Sequence, residues 1–254
     1  MTSSGAAGSL PRVLPRQKFL TACAWGVHLY TALGAALGLL AIFFASRLDF
    51  RASFLAMGAA TIIDCSDGPL ARWLMVKIRV PTFDGALLDN IVDYLNYVAA
   101  PVFLMRRSGI IAGGAGGLAL ASFVMIASAY GFCRLDAKTE DNYFRGFPSY
   151  WNLVALYLFC LGFGPRTNGV VLAVLGVMVF VPIKYIYPNR TELMRPLTLT
   201  LAVLWAGATL AMLPMLPAHS PILLYSSLAF VVYYFVVSFA LHAHPARVAA
   251  RRTS

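Results

Sequence analysis

Five carboxylates crowd one stretch of this chain. Asp64, Asp67, Asp84, Asp89 and Asp93 all fall within DCSDGPLARWLMVKIRVPTFDGALLDNIVD, and they are half of the ten Asp and Glu in 254 residues. Asp64 and Asp67 are three apart, and Asp89 and Asp93 are four apart, so each pair projects from one face of a helix. The flanking segments are apolar enough to lie in lipid, where an unpaired carboxylate costs roughly 2.5–3.5 kcal/mol even on the lenient insertion scale. No matching set of Lys or Arg stands inside those segments, so an ion-pair network is not the compensation. A bound divalent cation is. Two antiparallel neighbours joined through Arg72–Asp84 bring the pairs together as an oxygen-rich site for Mg²⁺ or Mn²⁺. With no thiolate or His set nearby, zinc is disfavoured. Gly68 and Ala71 leave room for a bulky ligand, Gly85 offers the same clearance opposite, and Arg72 suits a phosphate oxygen.

The elements that must position these acids are membrane helices. The chain is 60% hydrophobic, with mean hydropathy +0.75, and apolar runs recur from end to end. They fall at about Trp25–Ala45, Ala52–Ala71, Gly85–Leu104, Gly109–Phe132, Tyr150–Phe163, Gly169–Ile186, Leu197–Leu213 and Pro221–Leu241. This pattern predicts an all-α, polytopic bundle of about eight transmembrane helices, the fifth short for an apolar layer about 30 Å thick. Residues 1–24 read as an N-terminal segment, disordered or interfacial, without a cleavable secretion signal. Residues 25–241 form the membrane domain, and 242–254 a basic tail.

Net charge is +10, but the basic residues sit in short loops between apolar runs, the distribution that orients a membrane protein rather than one that binds nucleic acid. One side collects Arg12, Arg16, Lys18, Arg72, Lys77, Arg79, Arg134, Lys138, Arg145, Lys184, Arg190, Arg195, Arg247, Arg251 and Arg252. The other holds Arg47, Arg51, Arg106, Arg107 and Arg166. Both termini are therefore expected in the cytoplasm, with the acidic stretch opening on that face. Cys23, Cys65, Cys133 and Cys160 lack metal-finger spacing and read as reduced packing residues. Gly113–Gly117 reads as close helix packing, since no strand precedes it.

The spacing Asp64-x2-Asp67-Gly68-x2-Ala71-Arg72…Gly85-x3-Asp89-x3-Asp93 resembles that of the CDP-alcohol phosphotransferases, integral membrane enzymes of phospholipid synthesis. Its departure is the twelve residues between Arg72 and Gly85, longer than the general spacer. That length is similar to the bacterial branch that uses choline. So are Phe83-Asp84-Gly85, Ile91-Val92-Asp93-Tyr94, Asn96-Tyr97, the stretch from Cys133 to Asn152, and Phe180 to Tyr185 with Tyr187-Pro188. Asn90 stands where another Asp is expected in that branch.

The resemblance implies that Asp64, Asp67, Asp89 and Asp93 hold two divalent ions, Mn²⁺ or Mg²⁺, and that Asp93 also accepts the alcohol proton. It implies that Asp64, Gly68, Ala71, Arg72 and Gly85 line the site for CDP. The implied reaction joins choline to CDP-diacylglycerol, giving phosphatidylcholine and CMP, in the bacterial inner membrane with the site facing the cytoplasm. It also implies a homodimer. Choline is a quaternary ammonium, so its pocket calls for aromatic faces. Among aromatics near the cytoplasmic ends of spans, Tyr94, Tyr143, Trp151 and Tyr185 are the candidates, with Tyr97, Phe144 and Tyr150 beside them. Each competes with an ordinary interfacial or packing role.

Other acceptors, serine, glycerol or inositol, are the nearest rivals within the family; an anionic acceptor would call for extra cations near Asp93, and the region is aromatic. A cation transporter also uses intramembrane carboxylates, yet has no need of Gly68, Ala71 and Arg72 beside them. His28 reads as a packed, hydrogen-bonded histidine. Asp84 divides between helix capping and the site, and Asp136, Glu140 and Asp141 read as solvated or paired with loop cations.

Overall fold

The computed structural model describes residues 15–134, 136, 143–186 and 195–243. Most of its helices fall on the predicted runs. They are α1 (Pro15–Ser46), α2 (Phe50–Trp73), a short α3 (Val76–Arg79), α4 (Gly85–Tyr94), α5 (Ala100–Arg107), α6 (Gly114–Cys133), α7 (Trp151–Leu161), α8 (Pro165–Met178), α9 (Arg195–Met212) and α10 (Pro221–Ala243). A π-helical turn, Leu95–Ala99, joins α4 to α5 without a break in the helical path.

Local chemistry sets the ends. Asp49 caps α2 by accepting the Ala52 N–H, and Asp84 caps α4 by accepting those of Ala86 and Leu87, which assigns Asp84 its capping role. Pro165 opens α8, where its missing N–H is no loss. Gly162 closes α7 in the left-handed conformation, φ 63°.

Among the described residues, four helical segments are long and apolar enough to cross a membrane: Arg16–Ser46, Gly114–Cys133, Pro196–Met215 and Pro221–Phe239. Their apolar windows are only 17–33% buried, so most of that surface faces outward, as a lipid environment requires. The protein is a helical membrane protein. The helices that carry the acids, α2 and α4, are not among the four.

The first helix, α1, packs along α2 and also touches α4 and α5; α6 pairs with α8 and α9 with α10. Glycines let α1 come close. A Cβ at Gly34 would stand 2.6 Å from Val92 Cγ1, and one at Gly38 would stand 2.8 Å from Asn96 Oδ1. The main core lies deeper, around Leu104, Met105, Ile111, Val124, Trp151 and Leu172. A smaller apolar cluster of Ala24, Val27, Val76 and Val80 seats α3 against α1.

Two expectations are corrected. The first helix begins ten residues before the apolar run at Trp25, taking in Arg16 and Lys18, because nothing in that stretch breaks a helix. The run Gly169–Ile186 is not one helix: α8 ends at Met178, and Lys184–Ile186 forms strand β2 against β1 (Tyr143–Arg145). Pro182 stops helix propagation, and the antiparallel pairing of Tyr143 with Ile186, Phe144 with Tyr185 and Arg145 with Lys184 recruits the rest. Gly146 makes the junction. Its φ is +86°, and a Cβ there would lie 2.4 Å from the Val179 carbonyl oxygen. Arg134 and Arg145 both pair with Asp136 at 2.8 Å, tying the end of α6 to β1, as the loop reading expected for Asp136. Glu140 and Asp141 lie outside the described residues, as do residues 1–14 and the tail from 244.

Candidate active site

The two acidic pairs do meet. Carboxylate oxygens of Asp64 on α2 and of Asp89 and Asp93 on α4 lie within 4.8 Å of one another. A cavity between α1, α2 and α4 is lined by these three, by Asp67, and by Thr31, Gly34, Asn96 and Tyr97. Asp67 stands slightly apart from the trio: it is buried, and its Oδ2 accepts the Thr31 hydroxyl at 2.8 Å. Tyr97 donates its phenol to Asp64 Oδ2 at 2.6 Å. Asn96 donates to the Gly34 and Val92 carbonyls, both at 3.0 Å, and so locks α4 to α1 beside the cavity.

Among the described residues, the salt bridges join Arg134 and Arg145 to Asp136, and none reaches Asp64, Asp67 or Asp93. Converging carboxylates repel one another. The donor set is all oxygen, with close mutual spacing, which fits Mg²⁺ or Mn²⁺ and not a thiophilic ion.

Of the residues expected around CDP, Asp64 lines the cavity, whereas Gly68, Ala71, Arg72 and Gly85 do not. Arg72 lies in the last turn of α2, exposed, and its Nη1 would be 3.4 Å from a Cβ at Gly68. The guanidinium thus lies over the glycine one turn earlier. Pro69 follows Gly68 inside α2 and leaves the Cys65 carbonyl without its helical N–H donor. Ala71 packs toward the Val76–Val80 cluster. Gly85 opens α4, and the space its side chain would fill holds the His28 ring, whose Cε1 would be 2.7 Å from a Cβ. His28 is packed as expected, between Trp25 and Phe83, but its Nε2 has no hydrogen-bond partner. Asn90 is exposed and is not among the residues that line this cavity.

The aromatic candidates separate. Trp151 is 0% exposed; it donates Nε1–H to Ser128 Oγ at 2.6 Å and packs edge-on to Phe147. That is a core role, away from the cavity lining. Tyr94 donates to the Met125 carbonyl at 3.0 Å and meets the Phe132 ring edge-on. Tyr143 and Tyr185 enter the ribbon in different pairs. By contrast Tyr97 lines the cavity, with the Tyr150 ring 5.8 Å away edge-to-face.

Sequence reasoning missed the roles of Thr31, Asn96 and Tyr97's hydroxyl. Tyr97 did carry a signal, since it follows Asp93 at the same four-residue spacing by which Asp93 follows Asp89. Thr31 carried none, being one hydroxyl in a long apolar run.

Residues 28–183 match the model of the CDP-alcohol phosphatidyltransferase family. The chain belongs to that family. The matched segment begins at His28, in the turn before Thr31, and runs through both acidic pairs to the loop before β2, so it contains the whole cavity. Curated relatives agree in kind. The phosphatidylcholine synthase of Mesorhizobium japonicum is 39% identical over 211 residues, 82% of this chain and 78% of that protein. That of Bradyrhizobium diazoefficiens is 41% identical, over 77% of this chain and 73% of the relative. The phosphatidylcholine synthase of Legionella pneumophila is 41% identical over 66% of each chain. As a CDP-alcohol phosphatidyltransferase, the protein is a membrane-embedded transferase of phospholipid synthesis whose acids belong to a family that uses divalent metal.

Proposed function

We propose that this phosphatidyltransferase joins choline to CDP-diacylglycerol, releasing CMP and forming phosphatidylcholine. The observation that carries the chemistry is the convergence of Asp64, Asp89 and Asp93 within 4.8 Å on facing helices, with Asp67 on the same cavity wall. The acceptor assignment is supported by relatives that are phosphatidylcholine synthases at 39–41% identity.

Asp64, Asp67, Asp89 and Asp93 would hold the divalent ions, probed first as Mn²⁺ and Mg²⁺. Such ions neutralise a diphosphate and stabilise the CMP leaving group when bound. The chain's own residues do the rest. Arg72, beside Gly68, meets a phosphate oxygen of the CDP-lipid, with Asp64 and Ala71 on the same helix as the further CDP-site residues, while the clearance at Gly85 is taken by the His28 ring. Asp93 takes the proton of the choline hydroxyl as its oxygen attacks the lipid-bearing β-phosphorus; the bond from that phosphorus to the bridging oxygen breaks, and the electron pair leaves with CMP. Choline brings a fixed positive charge, and we assign the cavity-lining Tyr97, with the Tyr150 ring edge-to-face beside it, as its wall in place of Trp151. Tyr143 and Tyr185 on the ribbon are further acceptor-side candidates.

The same reading places about eight spans in a bacterial inner membrane, with both termini and the cavity mouth on the cytoplasmic side and the chain working as a homodimer. The basic residues concentrated on that side support the orientation.

The deciding experiment incubates detergent-purified protein with CDP-diacylglycerol, labelled choline and Mn²⁺, with EDTA and Asp93→Ala controls. Metal-dependent labelled lipid and stoichiometric CMP, both lost in the variant, carry the proposal. CMP release with serine, glycerol or inositol but not with choline moves the acceptor and sinks the choline assignment.

A further inference from the structure

The π turn Leu95–Ala99 sits one residue beyond α4, and it closes with the Ala100 N–H donating to the Leu95 carbonyl, five residues back. Such turns widen a helix locally and occur disproportionately at functional sites. Here three successive residues, Asn96, Tyr97 and Val98, are buried at 5%, 7% and 0% exposure. A regular α-helix turns each successive residue about 100° away. The wider turn therefore accompanies an unusual outcome: Asn96 is spent on the α1 carbonyl while Tyr97 still reaches the cavity that Asp89 and Asp93 line. Its hydroxyl bonds Asp64 Oδ2 across the α2–α4 gap at 2.6 Å, the short distance typical of a phenol donating to a carboxylate.

We propose that Tyr97 is a positioning residue for Asp64: its phenol pins one carboxylate oxygen and so presents the carboxylate to the divalent cation shared with Asp89 and Asp93. The inference rests on the reading of these acids as the metal site. The physical need is clear from the spacing. Three carboxylates within 4.8 Å repel, and Asp64 could relieve the repulsion by rotating about its side-chain bonds. Tyr97 opposes that rotation with a neutral donor, which adds no competing positive charge. A hydrogen bond that orients a ligand in this way typically accounts for about 10–100-fold in metal affinity.

The test is Mn²⁺ binding to the purified full-length protein, followed by electron paramagnetic resonance with and without CDP and with no alcohol present. Tyr97→Phe keeps the ring and removes only the hydroxyl. It should weaken Mn²⁺ binding about 10–100-fold. Asp64→Asn should weaken binding as well, and adding Tyr97→Phe to it should do nothing more, because the phenol acts through that carboxylate. Mn²⁺ affinity within twofold of the parent in Tyr97→Phe overturns the proposal, as does an undiminished loss on the Asp64→Asn background. No alcohol enters the binding measurement, so its outcome is separate from the acceptor assignment. A chain that shows the Tyr97 effect but makes no phosphatidylcholine loses the proposed function and keeps this inference; one that makes phosphatidylcholine with a Tyr97→Phe variant binding Mn²⁺ like the parent does the reverse.

Discussion

Thr31 on α1 donates its hydroxyl to Asp67 on α2 at 2.8 Å, and both residues are buried. One side chain of the first helix thereby satisfies an acid of the second, in a region where a bare carboxylate is costly. Replacing Thr31 by Val keeps the shape and removes the donor. The folded state should lose about 1–3 kcal/mol, read as a lower midpoint in a thermal melt in detergent, with Thr31→Ser near the parent. An unchanged midpoint in Thr31→Val would mean that Asp67 finds another donor.

Asp93 lies within the carboxylate trio, and a positioned base is worth about 10²–10⁴-fold in rate. Asp93→Asn should therefore lower kcat for CMP release by at least about 10²-fold with little change in thermal midpoint, since the amide fills the same space. A kcat within threefold of the parent would remove Asp93 from proton transfer.

Trp151 is wholly buried and hydrogen-bonded to Ser128 at 2.6 Å. Trp151→Phe should destabilise the protein by about 1–3 kcal/mol, because Ser128 loses its donor and the smaller ring leaves a gap. The choline KM should stay put. Steady-state kinetics at varied choline decide it: a KM increase without loss of stability would return Trp151 to the acceptor pocket.

Hydrogen bonding from Arg134, reinforced by Arg145, holds the Asp136 carboxyl well below the usual carboxylate range. A depressed folded-state pKa contributes stability that is present above the unfolded value and lost as pH falls through the folded one. The tie between α6 and β1 should thus survive unchanged from pH 8 to pH 5. Hydrogen exchange of the Gly146 amide, which donates to the Ile183 carbonyl, reports on it once corrected for intrinsic exchange rates. Asp136→Asn should speed that exchange modestly, as befits an exposed cluster. Protection that collapses between pH 8 and pH 5 in the parent would contradict the assignment.

How far the residues alone carried the reading varies with the physics involved. Helix placement was legible because each span is a long apolar run bounded by loop chemistry, and lipid leaves a backbone few alternatives to a helix. The break after Met178 was not, since an apolar run containing one Pro has no signature for the strand it pairs with thirty-nine residues earlier, Arg145 against Lys184.

The four acids, their pairing by helical spacing and their need for a cation were set by the sequence itself: residue type, period and the scarcity of balancing charge are local properties. Only the tertiary structure decided which acids converge, separating the trio Asp64, Asp89 and Asp93 from Asp67 with its Thr31 donor. It alone sent Trp151 into the core and Tyr97 to the cavity. Both are aromatic residues in apolar helical stretches, indistinguishable by composition. Which of them faces the acids depends on how α1, α2 and α4 pack and on a single π turn, and those are contacts between residues far apart in the chain.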